Sequence, residues 1–261
     1  MSHDLLHQAL RGTGHSQRLP IAPQGSALVV GAGGILGAAL LAEALVVGRF
    51  SRVRALVTGP LQSALRGFEP WPSALLELTA DESPADTAFI VFERARHHNG
   101  RDDAFLRPEP ADLVPLAGAL RRQRVRRLLV VVPHAAALLP GALKAGLASL
   151  DENAVAALGF EHLVFIRAAQ GVDGGDPSAP LLDRFARWWL SQLRWMVPQQ
   201  EQPVRAATLA ALAVQLARAL PLATPGTRVV PPELLSAAAV SDHPEQVLSA
   251  WLSGRAGPGR R

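Results

Sequence analysis

Residues 27–37, which read ALVVGAGGILG, decide the expected fold of this chain. A short apolar run at residues 27–30 leads directly into a glycine turn, and the long apolar segment of residues 35–47 follows. A strand, a tight turn and a helix in this order predict the first βα unit of a parallel sheet.

The glycine turn has the residue types that a bound phosphate group requires. Glycine lets the backbone turn tightly and come close to a ligand, while free amides at the start of the helix meet negative charge. Gly37 is expected to let the helix pack against the strand. We therefore predict that the turn binds the diphosphate of a dinucleotide; a tight turn without a ligand is the alternative. The predicted site comprises Gly31, Ala32, Gly33, Gly34, Ile35, Leu36 and Gly37.

Apolar runs alternate with helical segments over the rest of the chain. Strands are predicted at residues 52–58, 75–79, 87–93, 127–132, 161–167 and 227–230. Helices are predicted at residues 111–122, 141–158, 181–197 and 204–220. This alternation is typical of a parallel sheet that carries helices on both faces. The sequence therefore predicts an α/β, doubly wound Rossmann-type fold with a small helical C-terminal elaboration.

The chain is expected to divide into three regions. Residues 1–25 are polar and are predicted to form an N-terminal arm, and residues 26–170 are predicted to form an NAD(P)-binding Rossmann core. Residues 171–261 are predicted to be an elaboration of the same domain. Because ligands of doubly wound folds bind at the carboxyl ends of the strands, this last region is expected to lie on the substrate side or at an interface.

The composition excludes several kinds of site. The chain has no cysteine, so it has no disulfide, thiolate nucleophile or cysteine-based metal site, which fits a cytoplasmic location. Its eight histidines show no metal-ligand spacing, so no metal is expected. Asp4 interrupts the first apolar stretch, which therefore does not resemble a secretory signal. Prolines and polar residues break the most apolar region, residues 128–150, so a membrane span is not expected.

The basic charge of the chain does not indicate nucleic acid. The net charge is +4, and Lys144 is the only lysine, so the high isoelectric point reflects a bias towards arginine. Residues 121–127 read RRQRVRR at a predicted helix end, where solvated cations complement the helix dipole. No aromatic residue interleaves with these arginines to stack on bases.

The end of the second strand leaves the choice between NAD and NADP open. A carboxylate at this position would hold the ribose hydroxyls of NAD, and an arginine would favour NADP. Here the strand ends with Val57, Thr58 and Gly59, so Thr58 is predicted to lie beside the cofactor without selecting it. Arg54 and Arg66 are near in sequence, and we expect both to be solvated rather than to bind a 2′-phosphate.

Gly31, Gly34 and Gly37 have the spacing G-x-x-G-x-x-G, which resembles the atypical and extended short-chain dehydrogenases/reductases. The NmrA-like and sugar-nucleotide-epimerase-like branches are the most similar, over about residues 26–240. The resemblance implies that Asp81, after the third predicted strand, lies near the adenine. Residues 159–167, GFEHLVFIR, are similar to the sixth strand of that family.

The catalytic residues of that family are missing. Its members use a serine and a Tyr-x-x-x-Lys pair for proton transfer, but this chain has no tyrosine. The serine position reads VPH at residues 132–134. An ungapped count places Lys144 and Ala148 at the Tyr and Lys positions, and a shifted register places Pro140 and Lys144 there. His134 and Lys144 are candidates for other proton transfer, and a solvated role is the alternative for both.

Two functions of different class follow from these observations. The first is an NAD(P)-binding protein that has lost reductase chemistry and acts as a dinucleotide-dependent sensor, scaffold or assembly factor. The alternative is an active NAD(P)-dependent oxidoreductase or a sugar-nucleotide-type epimerase with other proton-transfer residues. The aromatic segment from Arg184 to Met196, within the helix predicted at residues 181–197, is a candidate surface for a protein partner or a homodimer, if it does not pack on the core.

Overall fold

The computed structural model describes residues 25–46, 48–61, 66–77, 83–93, 102–134, 149–169 and 204–254. Seven strands in these ranges form one sheet. They are β1 (Ser26–Val30), β2 (Arg52–Val57), β3 (Phe68–Pro72), β4 (Thr87–Val91), β5 (Arg127–His134), β6 (His162–Ala169) and β7 (Gly226–Val230). The described helices are α1 (Ile35–Ala44), α2 (Leu113–Arg122), α3 (Leu150–Ala156), α4 (Ala206–Ala219), α5 (Pro232–Val240) and α6 (Pro244–Leu252).

The strand order identifies the fold. The strands run β3-β2-β1-β4-β5-β6-β7, and every neighbouring pair is parallel. The chain moves outward from β1 to β3 and then crosses back to place β4 on the other side of β1. This is the order of a doubly wound Rossmann fold, whose ligand crevice lies at the switch between β1 and β4. The predicted fold class is confirmed.

Two apolar layers enclose the sheet because its residues alternate between faces. Ala27 and Val29 point to one layer, together with buried residues of α1, α4, α5 and α6. Leu28 and Val30 point to the other layer, together with buried residues of α2 and α3. This period of two, with both faces covered, explains why the strands are apolar throughout. The C-terminal helices described here therefore complete one face of the sheet.

The third strand differs from the prediction. Residues 75–79 are predicted to be a strand, but β3 is Phe68–Pro72, and Ser73–Leu76 forms a 3-10 turn. Two prolines in β3 argue against a strand in the sequence. The structure accommodates them because β3 is at the edge of the sheet and pairs only with β2, where a missing amide costs little.

A buried histidine lies at the amino end of β6. His162 is 1% exposed, and its Nδ1 atom has no hydrogen-bond partner among the described residues. Burial lowers the pKa of His162 below its ordinary value of 6.5, and the nearby arginines act in the same direction while Glu161 opposes them. His162 is therefore held neutral in the folded protein at pH values where the unfolded chain is already protonated.

We expect the free energy of unfolding to fall as the pH decreases from 6.5 towards the lowered pKa of His162. Below 6.5 the unfolded state binds more protons than the folded state, so acid favours unfolding. Urea titrations at about pH 7.5 and about pH 5.5 measure this loss. His162→Leu should reduce it, whereas the control His243→Leu, at a side chain 66% exposed, should retain it. An undiminished loss in His162→Leu would refute the assignment.

Candidate functional site

The passage from β1 into α1 requires glycine at two positions. Gly31 has a φ of +91°, and a Cβ there would overlap the carbonyl oxygen of Val91 at the end of β4. A Cβ on Gly37 would overlap the carbonyl oxygen of Gly31 and would lie 2.7 Å from the carbonyl carbon of Gly31. The close approach of α1 to the end of β1 therefore depends on Gly37, as the spacing predicts.

The start of α1 binds a carboxylate. The backbone amide of Leu36 donates to Glu93, at 3.0 Å from Oε2 and 3.2 Å from Oε1. The helix has no acidic residue in its own first turn, and its N-cap residue, Gly34, has no side chain that could cap the helix. The negative charge that the helix N-terminus favours therefore comes from another element of the fold.

Sheet topology brings Glu93 to this turn. β1 and β4 are parallel neighbours, with Val30 opposite Ile90, so both chains leave the sheet at the same edge. Glu93 is two residues beyond the last residue of β4. A Cβ on Gly34 would overlap the carboxylate of Glu93, so the carboxylate lies directly against the glycine turn. No feature of the turn itself predicts this contact, although an acidic residue directly after a buried strand at the switch point is a usable signal.

Residues 104–106, in the connection between β4 and α2, also lie against the end of β2. The amide of Thr58 donates to the carbonyl oxygen of Ala104 at 2.8 Å, and the amide of Leu106 donates to Leu56 at 3.0 Å. Phe105 forms an isolated antiparallel bridge with Val57. The side where the second strand meets the ribose in doubly wound folds is thus bordered by this connection. Thr58 itself is exposed there.

Arg54 is not solvated, so that expectation is wrong. Its side chain is 4% exposed, and its Nε atom lies 2.9 Å from Oε2 of Glu69. Its Nη1 donates to the carbonyl oxygen of Pro84 at 2.6 Å, and its guanidinium carbon lies 4.3 Å from the ring centroid of Trp71. These partners offset the cost of burying the charge. Arg54 is therefore committed to the β2–β3 edge, whereas Arg66 is exposed as expected.

Four of the five arginines at residues 121–127 are exposed, as expected of solvated cations. Arg127 is the exception, because it is 9% exposed and its Nε atom donates to the hydroxyl of Thr87 at 2.8 Å. Burial lowers the pKa of Arg127, and Asp86 opposes that shift. This arginine joins the amino ends of β5 and β4, at the end of the sheet opposite the crevice.

A buried ion pair joins β6 to α3. Nη2 of Arg167 lies 3.0 Å from Oε2 of Glu152, and the two side chains are 2% and 8% exposed. The hydroxyl of Ser149 caps α3 by accepting from the amide of Glu152 at 3.1 Å. Arg167 is near the carboxyl end of β6, so this pair attaches the start of α3 to the edge of the sheet that carries the crevice. Sequence reasoning does not identify this pair.

Several predicted site residues lie outside the described ranges. These are Asp81, Lys144 and the aromatic segment from Arg184 to Met196. His134 is the last residue of β5, where it pairs in register with Ala169, but its side chain is outside the described part. Their roles stay predictions.

The described residues contain no group of three or more acidic or histidine side chains that could hold a metal ion. No helix among them combines the length and the apolar character that crossing a membrane needs.

No protein-family model matches the chain, and no curated protein matches its sequence. Solved structures do match. The enzyme WbmG of Bordetella bronchiseptica, in complex with NAD and UDP, is 16% identical, with 92% of this chain and 81% of that chain covered and a TM-score of 0.46. UDP-N-acetylglucosamine 4-epimerase from Bacillus cereus is 13% identical, with 79% and 77% covered and a TM-score of 0.45. A Rossmann-fold NAD(P)-binding family protein from Shigella flexneri is 12% identical, with 79% and 92% covered and a TM-score of 0.43.

The fold assignment itself depends on the parallel strand order and on the crossover between β1 and β4.

Proposed function

We propose that this protein binds NAD or NADP, with the diphosphate at the glycine turn, and that it acts as a dinucleotide-dependent sensor, scaffold or assembly factor. One observation carries the binding proposal: the amide of Leu36 already holds a carboxylate at the start of α1. The turn therefore has the chemistry of an anion site at the crevice of a doubly wound sheet.

Two physical terms favour a diphosphate at this turn. The first amides of α1 have no partner within the helix, and the helix dipole adds partial positive charge at the same end. The glycines are the second reason, since the absence of a Cβ atom at Gly31, Gly33 and Gly34 lets phosphate oxygens approach the backbone. We assign the contacts to the turn from Gly31 to Gly37, and we place the ribose beside Thr58 and the adenine beside Asp81.

The choice between NAD and NADP stays open in this proposal. Arg54 is engaged with Glu69 and Pro84, so it does not favour a 2′-phosphate. Asp103 is next to Ala104, whose carbonyl oxygen accepts from the backbone amide of Thr58. The carboxylate of Asp103 pairs with Arg107 at 3.5 Å. A carboxylate and a guanidinium are thus both near the end of β2, and binding measurements must include both cofactors.

The role without reductase chemistry is supported by the composition. A reductase of the resembled family needs a tyrosine, and this sequence has none. His134 and Lys144 are the remaining candidates for proton transfer. We also propose a cytoplasmic protein, since it has no cysteine. We further propose that a protein partner or a second copy docks on the segment from Arg184 to Met196, for which the sequence predicts an aromatic helix.

Calorimetry with NAD+, NADH, NADP+, NADPH and ADP-ribose tests the binding proposal. We expect at least one dinucleotide to bind with a Kd below about 1 mM, and Gly34→Leu to abolish the heat. Gly118→Ala, a glycine change in α2 whose added methyl group meets only the far end of the Arg122 side chain, should bind as the wild type does. Absence of heat with the wild type and with Glu93→Ala would refute the proposal.

A carbonyl and sugar-nucleotide panel with the cofactor that binds tests the second part of the proposal. Binding without consumption of NADH or NADPH and without epimerisation supports a sensor, scaffold or assembly factor. Steady turnover would instead establish the alternative, an oxidoreductase or epimerase that uses other proton-transfer residues.

A further inference from the structure

We infer that Glu93 is an internal competitor of the dinucleotide, and that its carboxylate must leave the glycine turn before a diphosphate can bind. This inference rests on the proposed function and adds a mode of regulation to the same site. It concerns a residue that the glycine motif does not include.

The carboxylate and a diphosphate need the same donor. Glu93 already accepts from the amide of Leu36 with both oxygens, at 3.0 and 3.2 Å. One amide hydrogen cannot serve a carboxylate and a phosphate oxygen at full strength. The carboxylate also occupies the space where a Cβ of Gly34 would lie, which is the close approach that the glycine makes available.

Charge makes the two states mutually exclusive. A carboxylate and a diphosphate in contact repel each other. Because Glu93 is half-buried, solvent screens this repulsion less than it would at the open surface. Three arginines of the neighbouring elements are already paired with carboxylates: Arg54 with Glu69, Arg107 with Asp103 and Arg167 with Glu152. Glu93 must therefore rotate away when the ligand arrives.

Competition of this kind raises the ligand concentration at which the site fills. If the form with Glu93 on the turn predominates, the apparent Kd rises by the inverse of the open fraction. An anion at a helix N-terminus has a modest effect, which corresponds to about a 3- to 30-fold change in affinity. Such a competitor would make the protein respond only above a higher dinucleotide concentration.

Calorimetry with ADP-ribose and NAD+ on variants of the full chain tests the inference. We expect Glu93→Ala to bind about 3- to 30-fold more tightly than the wild type. Glu93→Gln, which keeps the shape of the side chain and removes its charge, should also bind more tightly. This variant tests the inference if Glu93→Ala does not fold. Glu43→Gln is the matched control, because Glu43 is on the same helix but pairs with Arg49 at 3.0 Å, away from the turn.

The outcomes separate this inference from the proposed function. If the wild type binds and both Glu93 variants bind with the same or lower affinity, the inference that Glu93 competes is overturned. The proposed dinucleotide site is then unaffected. An equal gain in Glu43→Gln also overturns it, since net charge would then explain the effect. No binding by any variant overturns the proposed function itself. Relative to the ligand-free wild type, NMR should show a shifted Leu36 amide resonance in Glu93→Gln and in the wild type with saturating ADP-ribose.

Discussion

Gly37→Ala is expected to lower the free energy of unfolding by about 2–3 kcal/mol and to abolish dinucleotide binding. The added methyl group would overlap the carbonyl oxygen of Gly31 and would lie 3.0 Å from the Cα of Ala32. Both are backbone atoms at the end of a buried strand, so they cannot move without separating α1 from β1. Urea unfolding measures the loss of stability, and calorimetry measures the loss of binding.

Gly118→Ala provides the matched control. The same methyl group on Gly118 would meet only the far end of the Arg122 side chain, at 3.7 Å. Because Gly118 is inside α2, alanine should instead raise the free energy of unfolding by about 0.5–1 kcal/mol. A loss in both variants, or in neither, would contradict the steric explanation.

Arg167→Met is expected to lower the free energy of unfolding by about 3–5 kcal/mol, because it breaks a buried ion pair by removing the guanidinium that lies 3.0 Å from Glu152. The same change should detach the start of α3 from the crevice edge of β6. Urea unfolding measures the first effect, and hydrogen exchange of the α3 amides measures the second.

Two further variants make this result specific. The double variant Arg167→Met with Glu152→Leu removes both buried charges and should recover much of the lost stability. Arg126→Ala breaks an ion pair at 2.7 Å whose arginine is 61% exposed, so it should cost only about 0–1 kcal/mol. A double variant as unstable as Arg167→Met alone would show that the charge pair is not the cause.

Much of the fold could be predicted because its signals are local. The apolar runs, the glycine turn and the strand-helix alternation place most of the strands of the sheet close to where the structure has them. The prediction failed at β3, where Pro70 and Pro72 argue against a strand. The structure tolerates both prolines because β3 is the outermost strand of the sheet, where a missing amide costs little. Which strand is outermost depends on the whole sheet and not on the segment itself.

The contacts around the candidate site were beyond prediction for a related reason. Arg54 reads as a solvated arginine until β3 supplies Glu69 and Trp71 beside it. Glu93 reads as the last residue of a predicted strand until β4 is placed beside β1. In both cases the partner is distant in sequence, so no periodicity or spacing connects the two.

The sequence by itself determined the first βα unit, the need for glycine at its turn and the absence of the tyrosine on which the resembled reductases depend. These are properties of single residues and of short segments, which backbone sterics and side-chain chemistry decide locally. Only the tertiary structure decided that a carboxylate lies on that turn. The crossover at the switch point brings the end of β4 to the start of α1, where the backbone amide of Leu36 donates to Glu93.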